Sequence, residues 1–227
     1  MASNLDIVVP IYNEEATVAE LLKRLRQSCP DARLIFVDNA STDSTRDLLQ
    51  QHGVVDLVCH ESNLGYGRSL LDGMRHGSAE HVVIIDADLE YLPEDIPALV
   101  AGLDSAGAVY GSRFLASRES PPAMQWYRSM GNGLVTQLFN LLFRQELTDL
   151  YTGIRAFRRS VLPLEELESS GFEFVLELSA RLVHAGVPLG EVPAGYDPRK
   201  TGKSKMQHLP EFLKFARRLI ALRLQLR

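Results

Sequence analysis

The chain has 227 residues, of which 45% are hydrophobic and 23% charged, and a formal net charge of −5. This predicts one globular domain with a substantial core, and its two cysteines exclude a disulfide framework or a cysteine-based zinc site. No run approaches the roughly 18 to 20 apolar residues that span a bilayer, and the polar start lacks the marks of a secretory signal, so we expect a cytoplasmic protein.

Strand-like and helix-like segments alternate along the first half of the chain. Apolar, β-branched runs predict strands at 5–10, 33–38, 55–60 and 81–86. Helical periodicity predicts helices around 14–28, 43–51, 67–78 and 93–103. This order predicts an α/β fold with a parallel sheet, in which the loops after the four strands form one edge that fits a nucleotide.

The fourth strand leads directly into an acidic segment. Four successive β-branched residues at 82–85 predict a strand buried on both faces, and Asp86, Ala87 and Asp88 follow it. Carboxylate oxygens suit Mg²⁺ or Mn²⁺, which takes one or two of them and further ligands from a phosphate-bearing substrate. Taken alone, this spacing is equally compatible with an acidic loop that binds no metal.

A glycine pair, Gly65 and Gly67, stands before the third predicted helix. Exposed amides at such a helix start could face an anion or a base. The spacing matches neither a dinucleotide fingerprint nor a P-loop with its lysine. A tight turn without a ligand explains the pair equally well.

Eight motifs follow one another along residues 5–206. They are VVPIYNEE (8–15), VDNASTDST (37–45), NLGYGRSLLDGM (63–74), DADLE (86–90), GSRF (111–114), DLYTGIRAF (149–157), GFEFVLEL (171–178) and EVPAGYDPRKTGKSK (191–205). In this order they resemble glycosyltransferase family 2, and more narrowly the polyprenyl-phosphate sugar synthases such as dolichol-phosphate mannose synthases. The resemblance implies a GT-A fold and a metal-dependent, inverting transfer from a GDP- or UDP-linked sugar to a lipid phosphate.

The resemblance also assigns the donor side of the site. Its expected nucleotide-sugar residues are Pro10, Tyr12, Glu14, Asp38, Gly65, Asp86 and Ala87. Asp38 would accept a hydrogen bond from the base or the ribose. Asp86 and Asp88 would hold Mg²⁺ or Mn²⁺ against the diphosphate, with Glu90 near the coordination shell. Asp88 is expected to be catalytic, because the cation stabilises charge on the leaving group.

Basic side chains form the expected acceptor side. Arg199, in a glycine-containing basic segment, is the expected catalytic clamp on the phosphates. The other expected phosphate-binding residues are Arg113, Arg128, Arg155, Lys200, Lys203, Ser204 and Lys205. A hydroxyl acceptor needs a general base, whereas a phosphate dianion does not. Asp149 is the candidate catalytic base for a hydroxyl, and with a phosphate acceptor it would orient an arginine.

Two departures from the family pattern leave the donor open. Asn39 stands where a second acidic residue is common, so guanine and uracil remain alternatives. Glu90, followed by Tyr91 and Leu92, replaces a Gln-His-Pro run, so the sugar is not assigned. Alternative functions are a family 2 transferase that acts on a hydroxyl of a small metabolite or glycan, and a non-catalytic nucleotide-sugar-binding protein.

The C-terminal segment is basic and amphipathic. Residues 196–227 contain nine Lys or Arg and two acidic residues, hence +7, which leaves −12 for the first 195 residues. We expect a catalytic domain at 1–206 and a helix at 207–227, which either packs on that domain or lies on an anionic membrane surface at its cytoplasmic face. Many family members carry transmembrane segments, and their absence here weakens the expectation of a lipid acceptor. No nucleic-acid partner is expected.

Overall fold

A computed structural model describes residues 4–116, 126–198 and 208–226, and the strands within these ranges form one seven-stranded sheet. The strands are β1 (Leu5–Ile11), β2 (Arg33–Asp38), β3 (Asp56–Cys59), β4 (His81–Ile85), β5 (Ala108–Ser112), β6 (Ile154–Arg158) and β7 (Leu189–Pro193). Their order across the sheet is β3-β2-β1-β4-β6-β5-β7. Strand β6 runs antiparallel to both of its neighbours, and the other pairs are parallel.

Helices cover both faces of this sheet. They are α1 (Val18–Ser28), α2 (Thr45–Gln51), α3 (Tyr66–His76), α4 (Ile96–Gly102), α5 (Arg113–Ala116), α6 (Trp126–Phe143), α7 (Phe174–His184) and α8 (His208–Gln225). Short 3₁₀ turns lie at Pro93–Asp95 and Arg159–Val161. The predicted α/β fold is therefore confirmed, and each of the four predicted strands and helices is present with small differences at its ends.

The core has one layer on each side of the sheet. Helices α3, α6, α7 and α8 contribute to one buried cluster, and α1, α2 and α4 contribute to the other. Along β4, Val82 and Ile84 belong to the first cluster, whereas Val83 and Ile85 belong to the second. The prediction of a strand buried on both faces is confirmed, and this burial fixes where the acidic segment leaves the sheet.

Helix α8 packs on the body along one face. Phe215, Leu219 and Leu222 are buried in the same cluster as α6 and α7, and each such side chain contributes about 1.5–3 kcal/mol on burial. Ile220 and Leu224 are exposed on the other face. This packing favours one domain that includes α8, and the boundary at residue 206 stays a prediction. Among the described helices, none is long and apolar enough to cross a bilayer.

Ion pairs also join α8 to α7. Lys214 Nζ lies 3.2 Å from Glu173 Oε2, and Arg218 Nη2 lies 3.3 Å from Glu177 Oε2. Glu177 is fully buried and also pairs with Arg181, four residues further along α7. Its carboxylate therefore has a structural role between two helices.

Candidate functional site

Three strained residues mark the carboxyl edge of the parallel strands. Asn13, Ala40 and Leu89 have positive φ values of 54°, 64° and 61°, and they lie in the loops after β1, β2 and β4. Non-glycine residues in this conformation are uncommon and cluster at ligand sites. This edge is where the sequence predicts the nucleotide.

The first two loops are joined by hydrogen bonds. Asn13 N donates to Ser41 Oγ at 3.0 Å, and Thr42 N donates to Asn13 Oδ1 at 2.8 Å. Glu14 N donates to Thr45 Oγ1 at 2.8 Å, next to the start of α2. The backbone around residues 12–14 is therefore held beside that of residues 41–45.

The structure brings the expected donor-side residues of β1 and β2 to one edge. Pro10 pairs with Val37 in the sheet, and Asp38 lies opposite the last residue of β1. Tyr12 and Glu14 follow in the loop, where both are partly exposed. Their contacts with a nucleotide stay predictions.

Asp38 is fully buried, and both of its carboxylate oxygens are engaged. Ser41 N donates to Oδ1 at 3.0 Å, and Arg46 Nε donates to Oδ2 at 2.6 Å. A carboxylate oxygen can accept more than one hydrogen bond, and the expected contact of Asp38 with a base or ribose stays a prediction. Asp38 also positions Arg46 and the loop after β2.

Asn39 connects the loops after β2 and β3. Its Oδ1 accepts the Leu64 N–H at 2.9 Å and lies 2.9 Å from His60 Nδ1, and its Nδ2 donates to Asn63 Oδ1 at 3.0 Å. Gly65 N donates to the same Asn63 oxygen at 3.1 Å. The amide of Asn39 serves as donor and acceptor at once, which a carboxylate at this position could not do.

Asp86 is partly exposed and is also hydrogen-bonded within the protein. The Tyr66 hydroxyl donates to Asp86 Oδ1 at 2.8 Å, and Asp86 N donates to Gly153 O at 3.1 Å. A side chain at Gly153 would clash with Asp86 Oδ2, so that glycine permits the close approach. Asp86 and Asp88 are both partly exposed, and the Asp86 carboxylate is in addition held by Tyr66.

Burial and neighbouring charges shift the pKa values of Asp86 and of its partner Tyr66. Burial raises the pKa of Asp86 to about 7, and repulsion from Asp88 and Glu90 adds to it, while the Tyr66 hydrogen bond and the charge of Arg155 act in the opposite direction. Burial and the charge of Asp86 raise the pKa of Tyr66 well above its usual value. The Tyr66 hydroxyl therefore keeps its proton and remains a donor.

The acidic loop fits a hard divalent cation in part. Three carboxylates repel one another closely enough to affect Asp86, and a bound cation would relieve that repulsion. Asp88 Oδ1 accepts the Glu90 N–H at 3.1 Å. In the ranges that the structure describes, no three His, Cys, Asp or Glu side chains are arranged to hold one ion, so the expected set of Asp86, Asp88 and Glu90 is not assembled. Asp86 and Asp88 would then be supplemented by phosphate oxygens.

Arg113 and Asp149 lie together at the start of α5. Arg113 Nε donates to Asp149 Oδ2 at 2.7 Å, and Nη2 donates to Oδ1 at 2.8 Å. The Arg113 guanidinium lies 5.5 Å from the ring centroids of both Tyr91 and Tyr196. Asn132 Nδ2 donates to Asp149 Oδ1 at 2.7 Å. Asp149 is fully buried and accepts several hydrogen bonds, so the geometry favours the orienting role over the role of general base.

Arg155 lies inside the protein, 1% exposed. Its Nη2 donates to Leu150 O at 2.9 Å, and the guanidinium lies 5.4 Å from the ring centroid of Tyr110. Nε and Nη1 have no hydrogen-bond partner among the described residues. Contrary to the expectation, Arg155 is not exposed to an acceptor phosphate, because the core covers this side chain.

The side chains of the other expected basic residues lie outside the part of the structure that is described. Arg128 lies in α6, and its side chain is outside that part of the structure. The expected clamp and phosphate-binding residues of the basic segment lie outside the described residues: Arg199, Lys200, Lys203, Ser204 and Lys205. The chain that leads to them is described up to Pro198.

This leading segment lies against the acidic loop. Asp197 N donates to Glu90 O at 3.0 Å, and Tyr196 forms an antiparallel bridge with Tyr91. Gly195 N donates to Asp95 Oδ2 at 2.7 Å. The basic segment therefore begins two residues after a direct contact with the acidic loop.

Sequence reasoning missed several residues of this arrangement. Tyr66 lies within the glycine motif, where a tyrosine between two glycines could have signalled a functional side chain. Arg46, Tyr91 and Tyr196 carry no comparable signal, and Tyr91 and Tyr196 meet only through the fold. Asn132 belongs to α6, far in sequence from the loops that it supports.

Several known proteins are similar to this chain over most of its length. An undecaprenyl-phosphate mannosyltransferase from Micrococcus luteus is 29% identical over 211 residues, which cover 88% of this chain and 86% of that protein. A polyprenol monophosphomannose synthase from Mycolicibacterium smegmatis is 28% identical over 216 residues, covering 88% and 80% of the two chains.

Solved structures share the fold. Glucosyl-3-phosphoglycerate synthase from Mycobacterium tuberculosis, in complex with Mn²⁺, UDP and glucosyl-3-phosphoglycerate, superposes with a TM-score of 0.72 at 22% identity, covering 99% of this chain and 80% of that one. This likeness identifies the GT-A fold expected from the motifs. The model of glycosyl transferase family 2 matches residues 6–163, which include the loops after β1, β2 and β4 and the Arg113–Asp149 pair. The chain therefore belongs to glycosyl transferase family 2.

Proposed function

We propose that this glycosyltransferase moves a sugar from a nucleotide-diphosphate sugar to a polyprenyl phosphate, with Mg²⁺ or Mn²⁺ as cofactor. The observation that carries the proposal is the contact of Asp197 with Glu90, because it holds the residues that directly precede the basic segment against the acidic loop. In such a glycosyl transfer the bond from the sugar to the diphosphate oxygen breaks and a bond to an oxygen of the acceptor phosphate forms, so a cation at the leaving diphosphate and cationic groups at the incoming phosphate both favour the reaction.

On the donor side, Asp86 and Asp88 would hold the divalent cation. When bound, the cation would act as a Lewis acid that stabilises negative charge on the departing nucleoside diphosphate. Thr17 Oγ1 donates to Ala87 O at 3.0 Å and so ties the acidic loop to the loop after β1. The strained backbone at Asn13, Ala40 and Leu89 supports a preorganised donor site.

The hydrogen bonds that already occupy the Asp149 carboxylate support a phosphate acceptor. A hydroxyl must lose its proton during attack, whereas a phosphate monoester is already largely ionised at pH 7. Asp149 is fully buried and bonded to Arg113 and Asn132, so it is poorly placed to accept a proton from an acceptor. The proposed acceptor requires no such base. In this proposal Arg199 and its neighbouring lysines bind the phosphates.

The names of the relatives support the same acceptor class. The Micrococcus luteus protein is an undecaprenyl-phosphate mannosyltransferase, and the Mycolicibacterium smegmatis protein is a polyprenol monophosphomannose synthase. Both align with most of this chain. The solved relative with Mn²⁺ and UDP supports a divalent cation and a nucleotide-linked donor. The choice between GDP and UDP, and the sugar, stay open.

A peripheral contact with the membrane would bring the enzyme to a lipid acceptor. The outer face of α8 exposes Ile220 and Leu224 on a helix that also carries Lys214, Arg217 and Arg223. Apolar side chains among basic ones favour the surface of an anionic bilayer. We propose that this face of α8 lies on the cytoplasmic side of the membrane.

The test uses the full-length protein, a panel of labelled GDP- and UDP-sugars, and Mn²⁺ or Mg²⁺. Each donor is incubated with a short prenyl phosphate and, separately, with the corresponding prenol. We expect a prenyl-phosphate sugar and the release of one nucleoside diphosphate. Product from the prenol alone would contradict the phosphate acceptor, and binding without nucleoside diphosphate release would favour a non-catalytic binding protein.

A further inference from the structure

Tyr66 joins the glycine motif to the acidic loop. It is the first residue of α3, and its hydroxyl donates to Asp86 Oδ1 at 2.8 Å. Among the described residues, Tyr66 is the side chain that donates a hydrogen bond to the Asp86 carboxylate. The other carboxylate oxygen faces Gly153, where an added side chain would clash. One oxygen is thus bonded and the other is confined by backbone.

The Tyr66 ring is itself held in place. It stacks on Phe172, with ring centroids 5.1 Å apart and an angle of 24° between the planes. Gly65, with φ +97°, packs so closely on Ser170 that a side chain there would clash with the Ser170 carbonyl. Arg68 N donates to that same carbonyl at 3.1 Å. The start of α3 is therefore fixed against residues 170–172, and the hydroxyl has little freedom.

Residues 168–173 are fixed in turn by α7 and α8. Ser169 N donates to Glu177 Oε2 at 2.8 Å, and Arg218 Nη2 donates to Ser169 Oγ at 3.2 Å. Lys214 pairs with Glu173 at 3.2 Å. A continuous set of contacts therefore connects α8 with the carboxylate of Asp86.

We propose that Tyr66 is a positioning residue, which sets the orientation of the Asp86 carboxylate for the divalent cation and the donor diphosphate. The proposal rests on the metal-dependent donor site proposed above. A partner that orients a metal-binding carboxylate typically changes metal affinity by about 10- to 100-fold when it is removed. The role can be tested cleanly, because a phenylalanine at position 66 lacks the hydroxyl but keeps the ring.

The test is Tyr66→Phe, which keeps the stack on Phe172 and removes only the hydroxyl. The dissociation constant of Mn²⁺ is measured by electron paramagnetic resonance of free Mn²⁺ in the full-length protein, with UDP and with GDP. We expect about a tenfold weaker Mn²⁺ affinity, and a rise in the Mn²⁺ concentration for half-maximal turnover that exceeds any fall in kcat at saturating Mn²⁺. An unchanged Mn²⁺ affinity would overturn the positioning role.

Tyr110→Phe is the matched control. Its hydroxyl lies 2.8 Å from Ser179 Oγ, so the variant also loses a buried tyrosine hydrogen bond, but one in which Asp86 takes no part. We expect a comparable change in melting temperature and an Mn²⁺ affinity within twofold of wild type. Equal loss of Mn²⁺ affinity in both variants would mean that a general effect on stability is responsible, which would contradict the proposal.

A double-mutant cycle with Asp86→Asn tests whether Tyr66 acts through Asp86. Residues that act together are non-additive. We expect that Tyr66→Phe adds less than twofold to the loss of Mn²⁺ affinity in Asp86→Asn, and full additivity would overturn the proposal. If Tyr66→Phe does not fold, Phe172→Leu replaces it in the cycle, because it removes the support of the ring and retains the hydroxyl.

Wild-type behaviour separates this proposal from the proposed function. If the wild-type protein binds no Mn²⁺ with UDP or GDP, the proposed metal-dependent function fails and the positioning role fails with it. If wild type binds Mn²⁺ and Tyr66→Phe binds it equally well, the positioning role alone fails.

Discussion

Asp149 accepts hydrogen bonds from Nε and Nη2 of Arg113, at 2.7 and 2.8 Å, in a bidentate pair that is almost wholly buried. Such a pair orients both partners, and the loss of one leaves an uncompensated buried charge. The two rings beside Arg113 belong to Tyr91 and Tyr196, which join the acidic loop to the segment that leads to the basic one. The pair therefore supports the contact between the acidic loop and the segment around Tyr196.

Asp149→Asn should lower the stability of the protein as well as its turnover rate. The amide keeps one acceptor oxygen but turns an NH₂ group toward Arg113 or Asn132, which are donors. We expect the free energy of unfolding to fall by about 3–5 kcal/mol, measured by denaturant titration. A role as general base predicts the opposite pattern, namely an inactive variant whose stability is unchanged.

Asp86→Asn and Asp88→Asn should each lower kcat by about a hundredfold or more at saturating donor, because the charge on the leaving diphosphate would lose its counter-charge. Treatment with EDTA should abolish turnover, and added Mn²⁺ or Mg²⁺ should restore it. Asp104→Asn, which changes an exposed carboxylate after α4, is the matched control and should be unaffected. Near-normal turnover of both site variants with saturating metal would remove the metal assignment.

Asn39→Asp should destabilise the loops at the donor edge, although family 2 enzymes often carry an acidic residue there. Nδ2 of Asn39 donates to Asn63 Oδ1, which also accepts the Gly65 N–H. A carboxylate would place two acceptors face to face. We expect a loss of about 1–3 kcal/mol in the free energy of unfolding and a higher KM for the donor.

Asn140→Asp provides the comparison for that variant. Asn140 makes an analogous pair of bonds with Leu147, through Nδ2 to Leu147 O at 2.8 Å and from Leu147 N to Oδ1 at 3.1 Å. It should lose similar stability with no change in the donor KM. If Asn39→Asp is as stable as wild type, the amide network does not hold these loops.

Ile220→Glu combined with Leu224→Glu should release α8 from membranes without unfolding it. Both side chains are exposed, so the melting temperature should change little. Sedimentation with vesicles rich in anionic lipid should show binding that is at least about tenfold weaker than that of wild type, because two apolar contacts are lost. Vesicle binding equal to that of wild type would contradict the membrane role of this face.

Leu219→Ala is the converse variant. Leu219 is fully buried between α8 and the body, so its truncation should cost about 2–5 kcal/mol in the free energy of unfolding. Vesicle binding by the folded fraction should be retained. Together the two variants separate the packed face of α8 from its exposed face.

Local patterns in the sequence were sufficient for the parallel half of the fold. Four β-branched runs predicted β1 to β4, because strands buried on both faces need continuous apolar residues. The antiparallel β6 was not predicted, since strand direction depends on which neighbour a segment meets, and β6 meets β4 from a distance of about seventy residues in the chain. The motifs also indicated the family, because eight of them occur along the chain in the order that is typical of glycosyltransferase family 2.

Side-chain orientation was decided only by the tertiary structure. The sequence by itself determined that Asp86 and Asp88 leave a buried strand together, but it could not show that Asp86 is hydrogen-bonded to Tyr66 while Arg155 lies within the core. Likewise, the sequence placed Asp38 and Asp149 at the site, but it did not show that Asp38 binds Arg46 or that Asp149 binds Arg113, which lies on another element. Local sequence sets backbone propensity and the pattern of burial, whereas hydrogen-bond partners are chosen by packing between elements that only the folded chain brings together.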